Sequence, residues 1–77
     1  MSNIDYTLYA GQKLRELINQ NYRTQEEFAY DFGADLRTIN RYINTGINKL
    51  NVIQELAEYF DVDIKYFFEQ GGKNEGG

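Results

Sequence analysis

Apolar residues in this chain recur at spacings of three and four, the period of helices packed on a core, and no alternating run predicts a strand. Between positions 6 and 21 the stripe is Leu8, Leu14, Leu17 and Ile18, with Gly11 on the same side. A glycine there marks close approach by another helix rather than a break. Residues 19–24 are polar and form a turn ending in Thr24. Threonine followed three residues later by Glu27 has the form of a capping box, so a second helix opens at Gln25. It carries Phe28, Ala29 and Phe32 on one face and stops at Gly33, where glycine takes the left-handed conformation without cost. Ala29 is small, as a steep crossing of two helices requires. Asp35 can cap the next run through its carboxylate. Ile39, Tyr42 and Ile43 then share one face of a third helix.

Residues 45–49 read as a loop, with Asn48 or Asn51 capping the next helix. Leu50, Ile53, Leu56, Ala57 and Phe60 make this fourth, amphipathic helix, which ends near Asp61 with Val62 tucked behind it. Asp63 caps a last short helix bearing Ile64, Phe67 and Phe68, with Tyr66 between them. Residues 1–5 form a polar lead expected to fray. Residues 70–77, half of them glycine, form a tail expected to be disordered. The expectation is one compact all-α domain of five short helices over residues 6–69.

The polar side of the third helix carries the functional signal. Arg37, Arg41 and Asn44 fall at i, i+4 and i+7 and share a stripe, flanked by Thr38 and Asn40. Residues 36–54 contain Arg37, Arg41 and Lys49 and no acid. A helix laid in a DNA major groove has this footprint: arginines for guanine edges or phosphates, short polar side chains for the rest. The plainer reading is a solvated face on a small helical domain. The spaced glycine and small residue before the stripe give a helix-turn-helix pattern, which favours DNA.

Composition narrows the alternatives. The chain has 77 residues, 42% of them apolar, with 5 Phe and 7 Tyr, enough for one small domain with a modest core. It has no cysteine and no histidine, so disulfide frameworks, zinc fingers and histidine general bases are excluded. No cofactor or metal is expected. No apolar run approaches a membrane span and no charged-then-apolar leader opens the chain, so a cytoplasmic protein without membrane contact is expected. The carboxylate pairs Glu26/Glu27 and Asp61/Asp63 lie at helix ends, where capping and the helix dipole account for them. With no nucleophile–base pair beside them, catalytic residues are not expected and the chain does not read as an enzyme.

The net charge is −4, wrong for a protein that coats DNA indiscriminately. Its distribution is uneven. Residues 1–35 carry −3, residues 36–54 carry +3 and residues 55–77 carry −4. A basic centre between acidic flanks is compatible with a specific binder of weak non-specific affinity, and equally with no DNA binding.

Residues 11–68 resemble the lambda-repressor-like helix-turn-helix domains of the xenobiotic-response-element family of bacterial and phage regulators. The matching pieces are Leu14-Arg15, then Thr24-Gln25-Glu26-Glu27-Phe28-Ala29 with Gly33, then Thr38-Ile39-Asn40-Arg41. Leu56-Ala57-Glu58-Tyr59-Phe60-Asp61-Val62 comes next, and Ile64 with Phe67-Phe68 completes the set. The resemblance implies that the third helix reads the major groove of double-stranded DNA. By position, Gln25 would contact a phosphate and brace the base contacts, with Thr24 beside it at the helix end. Leu36, Arg37 and Arg41 would face base edges, with Asp35, Thr38 and Asn40 alongside, and Asn44, Asn48 and Lys49 would hold the backbone. It also implies a transcriptional regulator, a repressor in the first instance, acting as a homodimer on a pseudo-palindromic operator. A protein-binding module or antitoxin component that keeps the fold, and so has a protein partner, is the alternative.

Two departures from the family pattern carry expectations. Ile18 and Ile43 stand where the family often has an arginine and a glutamate forming a buried ion pair, so the two isoleucines are expected in mutual contact and mostly buried. Replacing both partners of a buried pair by apolar groups can be neutral or stabilising. In the loop after the third helix, glycine arrives at Gly46, one place late, and the usual proline is missing. The dimer surface is expected around Tyr59, Tyr66 and Phe67 or Phe68, with Ile47 or Leu50 near it.

Overall fold

Gly11 explains how the first and third helices meet. In the computed structural model, which describes residues 6–68, a Cβ at Gly11 would lie 2.1 Å from the Tyr42 carbonyl oxygen and 3.3 Å from that of Ile43. Only a residue without a side chain permits that contact. The described residues form four α-helices and a 3-10 turn, with no strand: α1 (Tyr6–Asn21), α2 (Gln25–Phe32), α3 (Leu36–Thr45), α4 (Leu50–Phe60) and the turn Ile64–Phe67. The polar lead at 1–5 and the glycine-rich tail at 70–77 lie outside the described residues.

Local chemistry sets most helix ends. Thr24 Oγ1 accepts the Glu27 N–H at 3.1 Å, while the Glu27 carboxylate reaches back to the N–H of Arg23 rather than of Thr24. Gly33 ends α2 at φ 89°, with its N–H and that of Ala34 both donated to the Ala29 carbonyl. At the end of α4 it is Asp61 that turns left-handed, at φ 60°, and Val62 N–H closes on the Ala57 carbonyl at 2.9 Å. Aspartate is among the few side chains that tolerate this conformation. Asp63 caps the final turn through Oδ1 to the Lys65 N–H. Two expected caps are not formed. Asp35 occupies the N-cap of α3 without a side-chain hydrogen bond, and Lys49, not Asn48 or Asn51, sits at the N-cap of α4.

The expected fifth helix is a four-residue 3-10 turn. It closes by i→i−3 bonds, Tyr66 N–H to Asp63 and Phe68 N–H to Lys65. So short a segment gains little from α geometry, and the turn drives Phe67, fully buried, into the core.

The core joins Leu14, Leu17 and Ile18 of α1, Phe28 and Ala29 of α2, Ile39 of α3, and Ile53 and Leu56 of α4. Ile18 is fully buried, while Ile43 is half-buried and packs on this cluster. Leu8 and Leu50, placed on the inner stripes by their period, are 36% and 62% exposed, and Ala10 and Ile47 are buried instead. Phe28 is the hub of an aromatic group, with ring centroids 5.2–5.7 Å from Phe32, Phe60, Tyr22 and Tyr59. The Tyr22 and Tyr59 hydroxyls lie 2.6 Å apart, with Asp31 at 3.3 Å from Tyr22. That Tyr59 hydrogen bond, then burial and the nearby Asp31 carboxylate, push the Tyr22 hydroxyl well above the usual tyrosine range.

Lys13 is a charged residue that the apolar pattern does not reveal as buried: it is only 8% exposed. Its ammonium lies 3.7 Å from Glu16 and over the rings of Tyr9 and Tyr66, at 5.4 and 4.8 Å from their centroids. Tyr66 in turn donates to Glu16, so the group ties the 3-10 turn to α1. Burial, then Glu16, raise the Tyr66 hydroxyl above its ordinary range, against the pull of Lys13.

Candidate nucleic-acid interface

The two-sidedness of α3 comes from its sequence. Ile39 is buried and Tyr42 and Ile43 are half-buried on the side seated against α1, which leaves Arg37, Asn40, Arg41 and Asn44 exposed on the other. α2 enters α3 through residues 33–35, a turn too short to let the two helices separate. Leu36, at the start of α3, is 37% exposed, so it belongs at the rim rather than in the core. Thr38 is half-buried and Asp35 is exposed. Arg37, Arg41 and Lys49 make no ion pair among the described residues.

The loop after α3 is held by its backbone. Gly46, at φ 104°, donates to the Tyr42 carbonyl, and Ile47 donates to the Thr7 carbonyl at 2.8 Å. A Cβ at Gly46 would fall 2.6 Å from the Thr7 carbonyl carbon, so this glycine lets the loop lie on the first turn of α1. Gly46 at this place is therefore a packing requirement. The consequence is a polar cleft of about 250 Å³ at the C-terminal end of α3, where Arg41, Asn48 and Lys49 meet beside Tyr42 and Thr45. The Arg41 guanidinium sits 5.8 Å from the Tyr42 ring centroid, within cation–π range. Among the described residues no acid lines this cleft.

No family model, curated protein or solved structure matches this chain. Residue-by-residue geometry therefore has to carry the functional reading. The structure unites Arg41, Asn48 and Lys49 in one cleft, and puts Arg37, Asn40 and Asn44 on the same exposed side of α3. It does not add Thr24 to them. Thr24 opens onto a separate depression of about 670 Å³ beside Tyr22, Tyr30 and the carboxylates of Glu26, Glu27 and Asp31, and its hydroxyl oxygen is engaged as the α2 cap. Gln25, the first residue of α2, is half-buried.

The aromatic surface expected around the C-terminal turn also divides. Phe67 and Ile47 are core residues, 0% and 1% exposed. Leu50 and Phe68 line a small apolar depression of about 170 Å³. Sequence reasoning missed Tyr42 as a neighbour of Arg41 because an i, i+1 pair does not face the same way on a helix. Only the long reach of both side chains brings them together. Among the described residues no His, Cys, Asp or Glu cluster could hold a metal ion, and no helix is long and apolar enough to cross a membrane.

Proposed function

We propose that this protein is a sequence-specific DNA-binding transcriptional regulator, in the first instance a repressor, of the lambda-repressor-like helix-turn-helix type. In this reading α2 and α3 form the helix-turn-helix unit and α3 lies in the major groove. One observation carries it: the exposed side of α3 is free of acids, bears Arg37, Asn40, Arg41 and Asn44, and runs into a basic cleft in a protein whose net charge is −4. Concentrating positive charge on one face against the overall balance suits a polyanion that is met at one place only. A single such unit reads few bases, so two copies pair on a pseudo-palindromic site with their third helices about one DNA turn, ~34 Å, apart.

Selection of random duplexes on the purified protein, with sequencing of the bound pool, tests this directly. Enrichment of an inverted repeat is the expected result. No enrichment would reject the reading. A second reading, a protein-binding module or antitoxin component that keeps this fold, is favoured by the acidic depression on α2. There Tyr30, 86% exposed, stands beside three carboxylates. Failure of duplex selection would leave this reading in place.

A further inference from the structure

We infer that the cleft at the C-terminal end of α3 is a pocket for one phosphodiester of the duplex backbone, in which Arg41 acts together with Asn48 and Lys49. Reading of base edges then falls to the earlier part of the α3 face, to Arg37 and Asn40. This assignment rests on the DNA reading of the same face. It separates two arginines that sequence spacing alone makes equivalent.

Shape is the first argument. Base edges lie at the floor of a groove and are reached by side chains that protrude from a convex helix surface. Arg41 instead lines a concavity. What protrudes from a duplex into a concavity is its phosphate backbone. Arg37, one turn earlier on the same stripe, is exposed and lies outside the cleft.

The donor inventory is the second argument. The N–H groups of Gly46 and Ile47 are already donated, to Tyr42 and to Thr7, and the Thr45 hydroxyl donates to the Arg41 carbonyl at 2.7 Å. The Arg41 guanidinium, the Asn48 amide and the Lys49 ammonium are side-chain donors on the lining, two of them cationic, and no acid lines it among the described residues. The guanidinium, its central carbon 5.8 Å from the Tyr42 ring centroid, carries a planar fork of N–H donors suited to a bidentate contact with phosphate oxygens. Two cations sharing a cleft repel each other, and an anion between them turns that repulsion into attraction to both.

Preorganisation is the third. Both walls are set by backbone contacts that only glycine allows: Tyr42 is held against Gly11, and the loop is held against Thr7 through Gly46. A cleft whose walls are fixed before binding loses less entropy when it takes its ligand.

The test uses the full chain and the duplex enriched by selection. Affinities of wild type, Arg41→Ala, Arg41→Lys, Lys49→Ala and Arg37→Ala are measured on that duplex and its single-base-pair variants, across a salt series. Arg41→Ala is expected to weaken every duplex by the same factor, roughly ten- to a hundredfold, and to lower the salt slope by about one. Lys49→Ala should behave likewise, and Arg41→Lys should keep the slope while recovering part of the affinity. Arg37→Ala should abolish the preference at one base pair. If Arg41→Ala instead loses discrimination at one base pair and keeps its slope, Arg41 is a base reader and the pocket assignment is overturned. Wild type that enriches no duplex would reject the DNA reading itself. Should Arg41→Ala fail to fold, Arg41→Lys and Lys49→Ala carry the same comparison.

Discussion

Replacing Gly11 by alanine probes the contact on which both the fold and the basic cleft depend. In an isolated helix the change would help, by about 0.8–1.0 kcal/mol. Here the new Cβ would lie 2.1 Å from the Tyr42 carbonyl oxygen, against an ordinary contact of 3.4 Å or more, so α1 and α3 must part by roughly 1.3 Å. The obstacle is backbone, which cannot rotate aside. Overpacking of this kind costs about 1–3 kcal/mol, and a rigid carbonyl places Gly11 at or above the upper end. Set against the propensity gain, the net loss is about 2 kcal/mol, or roughly 8–16 °C in melting temperature for a domain of this size. Denaturant unfolding monitored by circular dichroism should show a lower midpoint with an unchanged slope. Because Tyr42 moves with α3, duplex affinity should fall as well. A Gly11→Ala protein as stable as wild type, or more so, would refute the close crossing of α1 and α3.

Other consequences can be measured in the same way. Ile43→Glu should destabilise the fold by about 1–3 kcal/mol, less than a fully buried charge would cost because Ile43 is half-buried. Adding Ile18→Arg should recover part of that loss; a double mutant that is no better than additive would show the two positions to be uncoupled. The raised hydroxyls of Tyr22 and Tyr66 keep their protons in the folded state above the pH at which an unfolded tyrosine, near ~10, releases its own. Their contribution is therefore fully present below pH ~10 and is lost as pH rises beyond it. Alkaline denaturation midpoints should show this loss, and Tyr22→Phe should reduce the dependence; an unchanged pH profile in that variant would reject the role given to the Tyr22–Tyr59 hydrogen bond.

Helix ends were legible in the sequence because their determinants are local. Thr24, Gly33 and Asp63 act on backbone groups within a few residues, so side-chain type and spacing sufficed. Gly11 was legible for a related reason: a missing side chain on an otherwise apolar stripe has few explanations besides a close neighbour. The polar stripe of α3 could be read from its period. Asp35 marks the limit of such reasoning, since it stands at the right place and makes no side-chain cap.

Features hidden from the sequence depend on contacts between distant parts of the chain. Lys13 looks like a surface residue until Tyr66 closes over it, and Leu50 looks like core until the packing of α4 leaves it outside. Ile47 and Phe67 were each one of two candidates for a partner surface, with the core as the other place open to Phe67, and the packing puts both in the interior. The separation of Arg37 from Arg41 is of the same kind. Their spacing on α3 puts them on one stripe, but the path of the loop over Thr7, fixed where Gly46 touches α1, encloses only Arg41 with Asn48 and Lys49. Periodicity specifies which way a side chain leaves its own helix; which cleft it enters is decided by where the rest of the backbone comes to lie.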